Sequence, residues 1–169
     1  AIVCKLIPEG KPDDEWLLAV DALQEIYDYS ENLGISIGIE PINRFETYFI
    51  NRTDQALALA TAVVPNCGVC LDTFHMNIEE RDMVEALKSS KDRLVGLHVA
   101  DNNRMAPGMG YLPWIDILDA LKSIHYDRVL SIEFCSPLDR TPDNPYPNSI
   151  VDHTENLSSE HRKFLEDHG

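Results

Sequence analysis

The sequence predicts an α/β fold: a curved parallel sheet whose strands alternate with helices. Three observations carry that expectation. Four short runs alternate large apolar with small residues, helical periodicity fills the intervals between them, and each run ends in a carboxylate or an imidazole. The runs are ISIGIE (35–40), CGVCLD (67–72), LVGLH (94–98) and RVLSIE (128–133). Alternation marks a strand whose two faces meet different surroundings. Each run has a small residue two places before its end: Gly38, Cys70, Gly96, Ser131. Each has a large apolar residue one place before: Ile39, Leu71, Leu97, Ile132. The expected sheet has a crowded concave face of small side chains and a convex face of aliphatics under helices. Val69, Val95 and Leu130 fall on the convex face. Glu40, Asp72, His98 and Glu133 then project at one level from the carboxyl ends of the strands, where barrels and open α/β sheets place their chemistry. They are 32, 26 and 35 positions apart, about one strand-plus-helix unit each.

In chain order, Ile2 to Ile7 reads as a strand, ended by Pro8, Glu9 and Gly10. Asp13 or Asp14 then caps a long helix through Asn32. Trp16, Leu17, Val20, Leu23, Ile26 and Tyr27 repeat at helical spacing, and Gly34 is the stop. Pro41 follows the strand ending at Glu40, which suits a strand end better than a strand centre. Residues 43–52 are a loop. Thr53 caps a helix from about Asp54 to Val64, closed by Pro65 and Asn66. After Asp72, Asn77 or a neighbour caps a helix through Ser89, with Glu79 and Glu80 in its first turn. A polar loop from Asp101 to Tyr111 holds Arg104, Gly108 and Gly110. Pro113 opens the next helix, to about Ile124. Prolines at 137, 142, 145 and 147 make residues 136–149 an irregular excursion. A last short helix covers Leu157 to Asp167. The order is five strands alternating with helices in one domain, residues 1–169.

The 169 residues are 44% apolar, enough for one core of ordinary size. The net charge of −15 reads as an acidic surface, and no basic stripe is present for nucleic acid. No apolar run approaches roughly 18 residues and no signal-peptide pattern opens the chain, so a cytoplasmic protein with no membrane partner is expected. Cys4, Cys67, Cys70 and Cys135 are expected to be reduced and mostly buried. Cys67 and Cys70 lie three apart in a strand, on opposite faces, which is a poor start for a shared metal or a disulfide. The chain begins at Ala1 and opens straight into a strand-like run, as the later part of a longer chain would.

Taken singly, each strand-end residue is an ordinary solvated or ion-paired side chain. In one register, the four suggest a shared cation site. Arg44 is expected to pair with a nearby carboxylate, and Trp114 to pack a helix. His125, His153, His161 and His168 look like surface residues.

Several motifs occur in order: EPINRFET (40–47), DTFHMNIEE (72–80), His98 with DNNR (101–104), PGMG (107–110), and Glu133. Together they resemble the sugar isomerase/epimerase group of xylose-isomerase-like (β/α)8 TIM barrels, and most of all its D-tagatose 3-epimerase and D-psicose 3-epimerase family. The resemblance runs from about Trp16 to Phe134. It implies that the chain holds the C-terminal portion of a barrel, from the fourth strand on, with the N-terminal strands missing. It implies one divalent ion, Mn²⁺ with Co²⁺ or Mg²⁺ as substitutes, held by Glu40, Asp72, His98 and Glu133. It assigns the acid/base pair to Glu40 and Glu133, and substrate contacts to Glu46, His75 and Arg104.

The chemistry suits these residue types. Epimerising a ketose at C3 removes a proton beside a carbonyl and returns it on the other face, through an enediolate that a Lewis acid stabilises. Two bases are needed for two faces, and Glu40 and Glu133 come from different strands. Three carboxylates and one imidazole suit a hard ion; a thiolate set would suggest zinc. The expected ligand is a small sugar, with a homo-oligomer left open. Two alternatives remain at this point. One is an aldose–ketose isomerase, although no second metal set is visible. The other is an inactive partial barrel that folds only with a partner, because of the sheet edges it would expose. A phosphodiesterase acting on damaged DNA would need more histidines and a basic surface.

Overall fold

A computed structural model describes residues 9–64 and 67–135. The expected strand at 2–7, the proline-rich stretch and the last helix lie outside those residues, as do Cys4, His153, His161 and His168. The chain divides into two compact units, Ala1–Phe134 and Cys135–Gly169. All the elements below belong to the first.

They are α1 (Pro12–Glu31), β1 (Gly38–Ile39), α2 (Thr53–Val63), β2 (Gly68–Asp72), α3 (Thr73–Glu79), α4 (Met83–Ser89), β3 (Leu94–Val99), α5 (Trp114–Ser123) and β4 (Val129–Ile132). The four strands form one parallel sheet in the order β1-β2-β3-β4. Each strand lies beside the next in sequence with helix between them, the winding of a partial (β/α)8 barrel. No helix among the described residues is long and apolar enough to cross a membrane.

Helix α1 starts at least two residues earlier than expected. Pro12 occupies its first turn, where a fixed φ and a missing N–H cost nothing, and Lys11 is the cap residue. Asp13 and Asp14 are therefore first-turn acids, not caps. Gly34, at φ 68°, turns the chain out of the helix. Val20 is buried and Trp16 and Leu23 pack on the core, but Leu17 and Ile26 stay exposed. In α2 the cap residue is Arg52, and Thr53, the expected cap, is already helical. Its N–H donates to Glu80 Oε1 at 2.7 Å.

The single helix expected after Asp72 is two. Asp72 caps α3 directly, its Oδ1 accepting from Phe74 N at 2.8 Å, so the helix starts at the strand end with no loop. Asp82 caps α4, accepting from Glu85 N at 3.0 Å. Asn77 lies inside α3 and caps nothing. Glu79 and Glu80 fall at a helix end, not a helix start, and both are spoken for. Glu79 Oε1 accepts from Arg44 N at 2.7 Å and Arg44 Nε at 2.9 Å, while its Oε2 accepts from Arg44 Nη2 at 2.8 Å.

The sheet register carries one irregularity. Val69 pairs with Leu94 and Cys70 with Gly96, so β3 spends an extra residue, Val95, opposite β2. Val95 therefore turns to the concave face, against the expectation from simple alternation. It covers Gly38 and Gly68, and a Cβ on either glycine would collide with its side chain. Leu94 takes its place on the convex face. That face is tight over the first three strands: Val69, Leu71 and Leu97 are fully buried, with Leu87 of α4 and Ile117 of α5 in the same core. Each such side chain contributes roughly 1.5–3 kcal/mol of burial. At β4 the expectation fails, because Leu130 and Ile132 are 49% and 67% exposed; Val129, on the other face, is 65% exposed. Helices α2 and α3 pack on β1, β2 and β3. Of the described cysteines, Cys67 is buried, Cys70 half-buried and Cys135 exposed, and none is in a disulfide.

Candidate metal centre and active site

The strand ends are fixed by bonds to backbone groups. Thr73 Oγ1 donates to Ala100 O at 2.6 Å and accepts from Ala100 N at 3.0 Å, which ties the exit of β2 to the exit of β3. Glu133 N donates to Val99 O at 3.1 Å, carrying the pairing one residue past β4. The four predicted residues do not stand at one level. The Gly38–Gly68 and Ile39–Val69 pairs put Glu40 level with Cys70, one inward position below Asp72. Asp72 pairs with His98, and His98 with Ser131, so Glu133 stands one inward position above them. The stagger is what a tilted, barrel-forming sheet imposes. Through it the side chains still meet: one ligand atom from each of Glu40, Asp72, His98 and Glu133 lies within 4.8 Å of all the others.

His98 Nδ1 is 3.0 Å from Glu40 Oε1 and 2.6 Å from Glu133 Oε2. Arg104 Nη1 donates to Asp72 Oδ2 at 2.6 Å, and its Nη2 lies 3.2 Å from Glu133 Oε1. The guanidinium also sits 4.6 Å above the Phe74 ring. Arg104 has a left-handed backbone, φ 61°.

The set fits a divalent cation on three counts. First, burial pushes the Glu40 carboxyl up; His98 opposes that, and the negative charges of Asp72 and Glu133 reinforce it. Second, Glu133 Oε2 is buried without a hydrogen-bond partner, although His98 Nδ1 lies 2.6 Å from it. Such an oxygen is costly without a partner. Third, the donors are oxygen and imidazole only. Burial and the carboxylates of Glu40, Asp72 and Glu133 push the Cys70 thiol up to about 12, so it offers no thiolate.

His75 and Glu46 border this cluster. His75 is buried, with Nε2 3.8 Å from Asp72 Oδ2 and Nδ1 4.0 Å from Glu46 Oε1. Two residues given no role from the sequence organise the surroundings. Asn43 is buried between Glu46 and His75, donating from Nδ2 to Glu46 Oε1 at 2.8 Å and lying 2.8 Å from His75 Nδ1. Asp101 is fully buried under the loop that carries Arg104. Its Oδ1 accepts from Asn102 N at 2.9 Å and Leu112 N at 3.1 Å, and its Oδ2 from Gly108 N at 2.9 Å and Trp114 Nε1 at 2.8 Å. Gly110 is obligatory there, since a Cβ would collide with the Asp101 and Asn102 side chains. The glycines of this loop were visible in the sequence, but the bonds from Asp101 to Gly108, Leu112 and Trp114 span too many residues for a local turn signal. Arg44 pairs with Glu79, as expected, and Trp114 packs on the core. His125 is exposed.

Comparison with known proteins agrees with this geometry. The chain is 38% identical over 116 residues to a D-psicose 3-epimerase of Enterocloster bolteae, an alignment covering 68% of this chain and 38% of that protein. It is 31% identical over 151 residues to an L-ribulose 3-epimerase of Mesorhizobium japonicum, covering 89% and 46%. A crystal structure of D-psicose 3-epimerase in the presence of D-fructose superposes with a TM-score of 0.74 at 31% identity, over 79% of this chain and 47% of that one. The chain thus spans less than half the length of these relatives. The family described as "Xylose isomerase-like TIM barrel" matches residues 5–167. By fold, site and sequence, this chain belongs to the xylose isomerase-like TIM barrel family.

Proposed function

We propose that this chain carries the metal site and the acid/base pair of a metal-dependent ketose 3-epimerase. One observation carries the reading: Glu40, Asp72, His98 and Glu133 converge within 4.8 Å, on a sheet similar to those of ketose 3-epimerases. Three carboxylates and one imidazole favour Mn²⁺, with Co²⁺ or Mg²⁺ as substitutes. When bound, such an ion supplies Lewis acidity to a ketose carbonyl and its neighbouring hydroxyl. Glu40 and Glu133 leave from the first and last described strands, so they approach a substrate carbon from different sides. One takes the C3 proton and the other returns one on the opposite face. Burial that lifts the Glu40 carboxyl suits a group that must both give and take a proton. Arg104, His75 and Glu46 orient the sugar oxygens.

The test is incubation of the chelated chain with D-psicose in D₂O, with and without Mn²⁺. Mn²⁺-dependent deuterium at C3 together with formation of D-fructose is the expected result. An aldose product carrying deuterium at C2 would make it an isomerase instead. A second reading, a barrel segment active only with a partner, draws on the exposed Val129, Leu130 and Ile132. Turnover by a species with the mass of one chain would remove it.

A further inference from the structure

Asn43 makes more hydrogen bonds than a buried loop residue needs. Its Oδ1 accepts from Phe45 N at 2.9 Å, which fixes which end of the amide is oxygen. Its Nδ2 therefore faces both Glu46 Oε1 and His75 Nδ1, each at 2.8 Å. Its backbone N–H also donates to His75 Nδ1, at 3.3 Å. An imidazole nitrogen that faces two N–H donors must present a lone pair. The ring proton is then on Nε2, the nitrogen 3.8 Å from Asp72 Oδ2 and turned toward the cluster. The same amide orients Glu46, which is acceptor-only when ionised.

We infer that Asn43 is a positioning residue that locks His75 as an Nε2–H donor and Glu46 as an acceptor, a pair matched to a carbonyl oxygen beside a hydroxyl group. The pairing is selective. A carbonyl or enolate oxygen accepts from Nε2–H, and a neighbouring hydroxyl donates to the Glu46 carboxylate. Two adjacent acceptors, as in a carboxylate or a phosphate, would meet repulsion at Glu46. The inference rests on the ketose reading above and adds to it the residue that sets the polarity of this donor–acceptor pair. Glu79 serves the same arrangement. Its bonds to Arg44 fasten residue 44 to α3, the helix that carries His75.

The experiment is long-range ¹H–¹⁵N correlation of the histidine rings in the whole chain, with His75 assigned by comparison with H75Q. The expected spectrum shows protonated Nε2 and bare Nδ1; protonated Nδ1 in the unmodified protein overturns the inference. The variant N43D keeps the acceptor toward Phe45 N and turns both side-chain donors into acceptors. Transfer of the His75 proton to Nδ1 is expected, with a roughly hundredfold fall in kcat, a KM within about threefold and unchanged Mn²⁺ affinity. An unchanged tautomer in N43D overturns it, and so does a loss of Mn²⁺ affinity and melting temperature with kcat preserved. The ring spectrum needs no turnover. A chain with the expected tautomer and no epimerase activity would count against the function while leaving the Asn43 assignment standing.

Discussion

Asp72 and Asp101 are both fully buried carboxylates at the rim of the same sheet, and they live in opposite electrostatic worlds. Asp101 has every lone pair it needs occupied by protein N–H groups, from Asn102, Leu112, Gly108 and Trp114. Burial pushes its carboxyl up, but the Trp114 indole and those backbone donors outweigh burial and hold it at about 2. Asp72 instead shares its pocket with two more carboxylates, one imidazole and one guanidinium, and next to it an oxygen of Glu133 has no hydrogen-bond partner. The first is a closed knot that shapes a loop. The second is a set of charges that its own chain leaves incomplete. The difference separates a buried acid enclosed by N–H donors from one that caps a helix while standing among other charges.

The largest expected effect is on the incomplete side. Glu133→Gln should lower kcat for C3 epimerisation by roughly 10²–10⁴-fold while the protein still binds Mn²⁺; near-normal turnover by a folded, metal-loaded variant would remove its role as a base. On the closed side, Asp101→Asn exchanges an acceptor for a donor among N–H groups that already donate. We expect a loss of about 3 kcal/mol in urea unfolding. A divalent ion should sharpen the contrast. Mn²⁺ at a hundred times its Kd should stabilise the chain by about 2.7 kcal/mol, and the gain should vanish in Asp72→Asn but persist in Asp101→Asn.

Acid should divide the two sites as well. The folded Asp101 carboxyl lies below its ordinary value, so its contribution is complete above about pH 4. It is lost as the pH falls through about 2. The stability gap between the native chain and Asp101→Asn should therefore be flat from pH 5 to 8 and close only below 4. The smallest effect expected is from Arg44→Ala: its guanidinium is 61% exposed, but Glu79 beneath it is buried and loses both side-chain donors, so a small fall in melting temperature should appear. Faster amide exchange at residues 43–47 would be its main trace.

Much of this was legible because a strand writes its two faces into the sequence at period two. The small residues Gly38, Cys70 and Gly96 do face the crowded side, where a Cβ on Gly96 would press on Cys70 Sγ. The four residues that close the runs do converge. Val95 was misplaced because one surplus residue inverts the alternation upstream of it, and nothing in LVGLH marks where that residue sits. The two-helix path after Asp72 was missed because Asp72 can both end a strand and cap a helix. Leu130 and Ile132 look like core residues from their type alone, and type cannot say whether a helix covers them. Asn43 and Asp101 escaped for another reason: their value lies in bonds to Glu46 and His75, or to Leu112 and Trp114, and local pattern does not report such pairings.

The extra residue at Val95 has a consequence for how this sheet tolerates change. Below it, the base of β3 is packed by one set of contacts; above it, the phase resets and His98 faces the cavity. A deletion of Val95 would leave a simple ladder, Leu94 against Val69 and Gly96 against Cys70, with His98 still facing the cavity, but it would strip the cover from Gly38 and Gly68. The surplus residue thus serves the floor of the cavity, filling the space that two glycines leave, and the aim of the imidazole does not depend on it.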